Sequence, residues 1–436
     1  MASQSPTSQE QPVDLKPLTK GLEFEWLYLW RYDIDAHGEV EIQVSGEGEI
    51  RNGYIVVAFD SLARNMDTDE DISETNTIDV SHKIIHNLLK TNGVDINDFD
   101  NWGKEPDDPN HPNAANAADK TYYRWILKQD HSVNYVNHNE ITSLIGGTFH
   151  LQDAELVSPA LLASARESDD EITRVVDILR NNLMYFTPES AGFHIHVAPG
   201  PSMFGLEELK KVAIVLYTID ILFKDLHPSH RHNNHYFPPI RTKSRLARND
   251  AEIVPDHRIL DYDVEANGMK SSDAWIVLGN AGTPHLIADL LSITGDRGTY
   301  SFQTVVDPKR PTIEFRQAAG TMNTEWIHHW SSIVVGTVDW ARRASYGDIH
   351  NFLVACDMKE ASPELHSVCS VGEFLRNTLR LPATADYVAR TTPGTRATPR
   401  LTGLQKTWRE RPEIRSLFNW KMLPCTHWDG DINMST

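Results

Sequence analysis

Three short segments, far apart in the chain, each place two ionisable side chains at alternating positions of an apolar run. The pairs are His194 and His196 in GFHIHVAPG, Glu23 and Glu25 in GLEFEW, and Glu314 and Arg316 in TIEFRQ. Side chains of a β-strand alternate between two faces, so each pair points one way and its apolar neighbours the other. Buried charges are costly unless they are paired or bind a metal. The pattern therefore predicts three strands with a common polar site.

The remaining chain alternates between strand and helix patterns. LEFEWLYLWRYD, YYRWILKQDHS and FHLQDAELVSP are typical of strands, and TYSFQTVV alternates well enough to pair with TIEFRQ. IDVSHKIIHNLLKTNG predicts an amphipathic helix with Gly93 placed for its C-terminal cap. GLEELKKVAIVLYTIDILFKDLH predicts a buried helix, and NTEWIHHWSSIVVGTVDWARRAS predicts a helix that begins after Asn323 as its N-cap. No Gly-rich phosphate-binding loop occurs.

The 436 residues have the composition of a packed globular protein, with 40% hydrophobic and 23% charged residues. Residues 1–17 are rich in Ser, Gln and Pro and are predicted to form a disordered tail. Residues 18–392 are predicted to form one catalytic domain. Acidic, Asn- and Pro-rich loops predict an insertion at about 66–120, and residues 393–436 read as a weakly structured C-terminal extension.

The charge and cysteine content limit the possible partners and compartments. A net charge of -20 argues against nonspecific binding to nucleic acid and to anionic membranes, which both require a basic surface. The three cysteines have no C-x-x-C spacing, so a disulfide framework and a zinc site are not expected. The N-terminus lacks a signal-peptide pattern, and no apolar stretch reaches the length of about 20 residues that spans a bilayer. We expect a cytoplasmic protein, and the sequence does not determine its oligomeric state.

Each ionisable pair also has an ordinary structural explanation. An H-x-H can be hydrogen-bonded to the backbone, Glu23 and Glu25 can form a solvated strand face, and Glu314 can simply pair with Arg316. Together, however, carboxylates and an imidazole suit Mg²⁺ or Mn²⁺. Such ions can bridge the phosphates of ATP while an arginine stabilises the transferring phosphoryl group. The combination therefore favours phosphoryl transfer without a P-loop.

Five motifs in a fixed order resemble the amidoligase family, which belongs to the glutamine-synthetase-like carboxylate-amine ligases. The motifs are G-x-E-x-E from Gly21, W-x-x-K-x-D-x-S from Trp125, A-E-L-V-S-P from Ala154, G-x-H-x-H from Gly192 and T-I-E-F-R-Q from Thr312. The resemblance covers about residues 18–390. It implies an α+β protein with a curved antiparallel sheet, helices packed on one face, and ATP and Mg²⁺ or Mn²⁺ on the concave face. It also implies an ATP-dependent ligase that forms an amide or isopeptide bond through an acyl-phosphate.

The resemblance also implies roles for residues that match its motifs. The implied metal ligands are Glu23, Glu25, Glu155, His194 and Glu314, although Glu155 can equally be structural. The implied nucleotide-binding residues are His194, His196, Arg316 and Gln317, and the implied catalytic residues are Arg316, Glu314 and His196. The implied substrate-side residues are Asp130, Ser132 and Arg231. Arg231 lies in the histidine-rich segment HPSHRHNNHYF, which departs from the family pattern and also reads as a solvated loop.

Three other functions remain possible at this stage. A small-molecule kinase can use the same fold and the same residues. A cupin-like oxygenase can use an H-x-H, but it requires a glutamate about four residues after His196, where Gly200 stands and Glu207 is the first acid downstream. A binding protein without turnover is disfavoured by the intact ionisable pairs. For the ligase, the expected partners are small-molecule or peptide carboxylate and amine substrates.

Overall fold

A ten-stranded sheet forms the centre of the chain in a computed structural model. The structure describes residues 15–32, 43–51, 53–60, 74–97, 122–133, 149–232, 237–249, 268–293, 298–361 and 370–393. The strands are β1 (Thr19–Tyr32), β2 (Gln43–Arg51), β3 (Tyr54–Asp60), β4 (Ile126–Lys128), β5 (Phe149–Val157), β6 (Leu161–Leu162), β7 (Tyr185–Phe186), β8 (Gly192–Ala198), β9 (Tyr300–Ser301) and β10 (Ile313–Ala319).

The long strand β1 organises the sheet. The strand order is β2-β3-β1-β8-β10-β9, and β5, β6 and β7 also pair with β1 while β4 pairs with β5. Because β1 has 14 residues, different parts of its length can pair with different partners. The three strands predicted to carry the paired ionisable residues are therefore neighbours, in the order β1, β8 and β10.

The expectation of an antiparallel sheet is wrong at one position. β3 runs parallel to β1, with Trp30 opposite Ile55, whereas the other strand pairs in the described sheet are antiparallel. β2 and β3 pair antiparallel as consecutive strands, and the second of the two takes the inner place beside β1. The sheet is therefore mixed, and it is not closed.

The helices lie against the face of the sheet opposite the ionisable pairs. They are α1 (Glu74–Thr91), α2 (Arg166–Asn182), α3 (Leu206–Phe223), α4 (Ile240–Lys243), α5 (Ser271–Gly279), α6 (Pro284–Leu291), α7 (Thr324–Arg343), α8 (Tyr346–Ala361), α9 (Val371–Glu373, continued by a π-turn at Phe374–Thr378) and α10 (Pro382–Arg390). Leu22, Phe24 and Trp26 of β1 are buried in the same core as α3 and α7. Alternation along β1 then turns Glu23 and Glu25 to the other face. The α+β class and the layer of helices on one face are confirmed.

Two helix boundaries agree with the sequence analysis. The side chain of Asn323 accepts a hydrogen bond from the backbone N–H of Trp326 and caps α7. Gly93 follows α1 with a φ of +76°, a left-handed conformation that favours glycine. The strand predicted for TYSFQTVV is shorter than expected, because only Tyr300–Ser301 pairs with β10 and a 3₁₀ turn follows at Gln303–Val306.

The predicted terminal segments and most of the predicted insertion lie outside the described residues. Within the insertion, α1 packs on β2 and β3, and the hydroxyl groups of Tyr28 and Ser81 lie 2.6 Å apart. In the histidine-rich segment, the ring of His227 is buried against the rings of Trp326 and Trp330. Among the described helices, none is long and apolar enough to cross a bilayer.

Candidate active site

The pairing of β1, β8 and β10 brings the ionisable residues together. Glu23 lies opposite His194 across β1 and β8, and His196 lies opposite Glu314 across β8 and β10. Residues directly opposite each other on neighbouring strands have their side chains on the same face and about 5 Å apart at Cβ. The strand register therefore brings the three pairs of ionisable residues into one cluster.

Both histidines contact carboxylates of this cluster. The His194 Nδ1 atom lies 3.2 Å from Glu23 Oε2, 3.5 Å from Glu25 Oε1 and 3.6 Å from Glu314 Oε1. The His196 Nε2 atom lies 3.1 Å from Glu23 Oε1. Two imidazoles and three carboxylates therefore share one site. We call Glu23, Glu25, His194, His196 and Glu314, together with Glu155, the acidic cluster.

Gly192 allows this close packing at the start of β8. Its backbone N–H donates a hydrogen bond to Glu25 Oε2 at 2.6 Å. A Cβ atom at this position would lie 2.3 Å from His194 Nε2 and 3.3 Å from Glu25 Oε2. Only glycine therefore leaves room for the imidazole and the carboxylate to meet the backbone. This explains in physical terms why a glycine begins the G-x-H-x-H motif.

Lys128 joins the cluster through Glu155 and was not assigned a role in the sequence analysis. Glu155 lies opposite Glu25 on one side and opposite Lys128 on the other. The Lys128 Nζ atom lies 3.0 Å from Glu155 Oε2. Burial and the charge of Glu23 raise the pKa of Glu155 to about 9, although Lys128 opposes the shift. Within the described residues, the buried Glu155 Oε1 atom has no hydrogen-bond partner.

The pKa values of Glu23 and Glu314 are lowered and that of His196 is raised, which favours two negatively charged carboxylates and a protonated imidazole. Burial opposes ionisation of Glu23, but His196 and His194 hold the pKa of this carboxyl well below its usual value. Burial likewise opposes ionisation of Glu314, and His196 and Arg316 lower its pKa. Burial lowers the pKa of His196, but the charge of Glu23 outweighs this and raises it. A positive charge is thus favoured among these carboxylates.

A bulge in β10 determines where Arg316 and Gln317 lie. The register of β10 with β8 shifts between Phe315 and Ala318, so two residues of β10 stand opposite His194. Arg316 forms an ion pair with Glu314 in the cluster. The side chain of Gln317 is instead buried, and its amide atoms have no hydrogen-bond partner among the described residues. The bulge therefore directs one of two adjacent residues into the site.

Arg231 holds this bulge from outside the cluster. Its guanidinium donates hydrogen bonds to the carbonyls of Arg316 (2.8 Å), Gln317 (3.2 Å) and Ala191 (3.3 Å). It also lies 3.6 Å from the ring centroid of Phe237. Burial lowers the pKa of Arg231 to about 9. The contacts of this residue, expected on the substrate side, are therefore contacts that fix the backbone of β8 and β10.

Asp130 and Ser132 lie in the turn after β4. The carboxylate of Asp130 accepts a hydrogen bond from the backbone N–H of Ser132 at 2.8 Å, as in an Asx-turn. The backbone N–H of Asp130 donates to Asp153 Oδ2 at 2.8 Å. These hydrogen bonds hold the turn, and neither residue lines the cleft beside the acidic cluster.

A cleft opens beside the acidic cluster. Glu23 and His196 line its inner end, and the His196 Nδ1 atom lies 3.1 Å from Thr312 Oγ1. The cleft is lined by Thr19, Gly21, Glu23, Tyr122, Val157, Ser158, Ala160, His196, Ala198, Gly200, Thr304, Lys309, Arg310, Pro311 and Thr312.

The donor atoms of the cluster suit a hard divalent cation. Ligand atoms of Glu23, His196 and Glu314 all lie within 4.8 Å of one another. Carboxylate oxygens with one imidazole match the preferences of Mg²⁺ and Mn²⁺. The buried, unpartnered oxygen of Glu155 supplies a further donor nearby. These residues therefore fit such an ion.

An open mixed sheet with helices on one face and a charged cluster in a cleft on the other is the architecture of an enzyme of the α+β class. A family model described as "Putative amidoligase enzyme" matches residues 65–337, which is more than half of the chain. The chain belongs to this amidoligase family, and the predicted resemblance is confirmed. The matched segment contains β5, β8 and β10 but begins after β1. No curated protein matches the chain.

Proposed function

We propose that this member of the amidoligase family is an ATP-dependent carboxylate-amine ligase that works through an acyl-phosphate. The supporting observation is that a buried cluster of four carboxylates, two imidazoles and Arg316 lies at the inner end of the cleft. Phosphoryl transfer requires concentrated positive charge around three phosphate oxygens and fixed positions for both reactants. A carboxylate cluster that accepts divalent cations, beside a fixed arginine, meets this requirement. The proposal includes the glutamine-synthetase-like arrangement expected from the sequence.

In this proposal Glu23, His196 and Glu314 hold Mg²⁺ or Mn²⁺, with Glu25, His194 and Glu155 beside them. A cation bound by these residues would supply neutralisation of the phosphate charge. The carboxylates of the cluster repel one another, and a bound cation would offset this repulsion. The effect of the repulsion is seen at Glu155, whose pKa is raised to about 9 by burial and by the charge of Glu23. Gly192 fixes Glu25 through its N–H group, so the donors are positioned before an ion arrives.

The chain's own residues position and stabilise the reacting groups. An oxygen of the substrate carboxylate attacks the γ-phosphorus of ATP, the bond to the β-phosphate oxygen breaks, and ADP leaves. The guanidinium of Arg316 stabilises the charge on the transferring group, and it is fixed by Glu314 and by the bulge that Arg231 holds. The amine nitrogen then attacks the acyl carbon, phosphate leaves, and a carboxylate of the cluster can accept the proton released.

The decisive experiment measures ATP turnover with Mg²⁺ in the presence of a mixed pool of carboxylic acids and amines. ADP and free phosphate are quantified separately, and products are identified by mass spectrometry. Wild type is compared with Glu314→Gln in the cluster and with Glu49→Gln, which changes an exposed glutamate on the edge strand β2. The ligase predicts equal amounts of ADP and phosphate and a product with the mass of acid plus amine minus water. Only Glu314→Gln should abolish it.

Two outcomes would replace the proposal. ADP with a phosphorylated product and no free phosphate would indicate a kinase on the same scaffold. A purified protein that retains iron and binds no nucleotide would indicate an oxygenase. The donor set disfavours the oxygenase, because the three atoms that converge within 4.8 Å belong to two carboxylates and one imidazole, a set richer in oxygen than the two histidines and one carboxylate typical of such iron sites. The kinase would use the same donor set as the ligase, so the reaction products separate these two.

A further inference from the structure

The cleft has a second end that the proposed chemistry does not use. Glu23 and Thr19 both line the cleft and lie four residues apart on the same strand, β1. Four residues of extended strand span about 13 Å. The cleft therefore continues well beyond the acidic cluster, toward the turn that precedes β10. Val197 lies opposite both Lys20 and Ile313, so the turn before β10, with the cleft-lining residues Lys309 and Arg310, lies toward the Thr19 end.

A short turn presents Lys309 and Arg310 at the outer end. Asp307 begins the turn, accepting hydrogen bonds from the backbone N–H groups of Lys309 at its carboxylate (2.9 Å) and of Arg310 at its carbonyl (3.1 Å). The Arg310 guanidinium lies 3.5 Å from Asp307 Oδ2 and donates to the hydroxyl group of Tyr122 at 3.4 Å. Tyr122 also lines the cleft, so this bond holds the guanidinium at its wall. Among the ion pairs of the described residues, none includes Lys309.

The charge at this end is opposite to that of the chain as a whole. The protein has a net charge of -20, yet the only carboxylate among the cleft-lining residues is Glu23, at the inner end. Asp307 offsets part of the charge of Arg310, and the two cations together still outnumber this carboxylate, so the turn attracts an anionic group. The positions are fixed by the turn and by Tyr122, which reduces the ordering cost of binding.

We propose that Lys309 and Arg310 bind a second anionic group of the carboxylate substrate, roughly 10 Å or more from its reacting carboxyl group. This inference rests on the proposed function, because it places the reacting carboxyl at the acidic cluster. The phosphates of ATP are contiguous and are needed at the cluster beside Arg316, so cations at the other end serve a different anion. The substrate is therefore an elongated acid, such as a short peptide of about three residues with a free terminal carboxylate. Small amino acids are too short.

Linear dicarboxylates of increasing length test this directly. Succinate, pimelate and sebacate are titrated calorimetrically into the full-length protein, with and without Mg²⁺ and a non-hydrolysable ATP analogue. Wild type should bind sebacate at least tenfold more tightly than succinate. The double variant Lys309→Gln/Arg310→Gln should lose this preference and leave succinate binding unchanged. Arg166→Gln, which changes an arginine with a 90% exposed side chain on α2, is the control and should behave as wild type.

The inference is overturned if wild type shows no preference for the longer dicarboxylates, or if the double variant keeps that preference. It is also overturned if the double variant weakens the ATP analogue and leaves sebacate binding unchanged, because the nucleotide would then occupy the outer end. Failure of the proposed function looks different. If wild type turns over no ATP but the double variant still loses its preference for sebacate, the ligase proposal is wrong and the anion site stands.

Discussion

Asp220 on α3 provides a quantitative test of how the helical layer supports the active-site strands. Its carboxylate is buried and accepts a hydrogen bond from the backbone N–H of Arg241 at 3.0 Å. It also interacts with Thr299, whose carbonyl accepts a hydrogen bond from the backbone N–H of Arg316 at 2.9 Å. Burial raises the pKa of Asp220 from its ordinary 3.8 to about 6, despite these hydrogen bonds.

The raised pKa makes stability depend on pH. Below pH 3.8 Asp220 is protonated in both the folded and the unfolded chain, so its contribution to stability is fully present. As the pH rises through 6, the folded state must carry a buried charge, and this contribution is lost. The difference between the two pKa values corresponds to about 3 kcal/mol of unfolding free energy. Asp220→Asn cannot ionise but keeps one carbonyl-type acceptor, so it should not lose stability in this way.

Urea unfolding followed by tryptophan fluorescence between pH 4 and pH 7 measures the effect. Relative to Asp220→Asn, wild type should lose about 3 kcal/mol across this range. Asp170→Asn changes an aspartate with a 70% exposed side chain on α2 and is the matched control, which should parallel wild type. A difference between wild type and Asp220→Asn that stays constant with pH would refute the reasoning, since it would mean that Asp220 ionises as easily in the folded protein as in the unfolded chain.

Three further predictions concern the site itself. Gly192→Ala should weaken Mn²⁺ binding by about tenfold in a titration, because its Cβ would displace the imidazole of His194. The control Gly279→Ala has no atom within 4 Å of the added Cβ and should bind Mn²⁺ as wild type does. Equal affinities of the two variants would contradict the packing account. Lys128→Met should tighten Mn²⁺ binding by about tenfold, because it removes the positive charge beside the buried carboxylate of Glu155. Weaker Mn²⁺ binding would show that Lys128 instead orients a metal ligand. Arg231→Lys should lower the unfolding free energy, measured by urea denaturation, by about 3 kcal/mol, because an ammonium group cannot reach three separate carbonyls. An unchanged unfolding free energy would exclude a role of Arg231 in holding these backbone segments.

The predictions that the structure confirms rest on local patterns in the sequence. Alternation along GLEFEW and GFHIHVAPG correctly separated the core face from the polar face, since side-chain direction in a strand depends only on position parity. The caps at Asn323 and Gly93 were found because capping chemistry lies within a few residues. The length of the strand at Tyr300 was not predicted correctly, because TYSFQTVV has a strand-like composition but turns away after two paired residues.

Residues whose roles depend on neighbours in space could not be assigned. Lys128 is the lysine of the W-x-x-K-x-D-x-S motif, but no local pattern gives it a role, and it joins the cluster only because β4 pairs with β5 opposite Glu155. Gln317 and Arg316 are adjacent in sequence, and only the bulge separates the arginine that pairs with Glu314 from a glutamine whose side chain has no hydrogen-bond partner among the described residues. Arg231 was expected to face substrate, but its hydrogen bonds go to backbone carbonyls of other segments.

The sequence by itself determined which residues carry charge on one face of a strand, where the main helices begin and end, and to which family the chain belongs. These properties follow from periodicity, capping and motif order, which act over short distances along the chain. Only the tertiary structure decided that β1, β8 and β10 are neighbours, that β3 runs parallel to β1, and that Lys309 and Arg310 close the far end of the cleft. The pairs β1–β8 and β8–β10 join residues more than a hundred positions apart, and β1–β3 joins residues 25 apart, so no local pattern encodes this order and register.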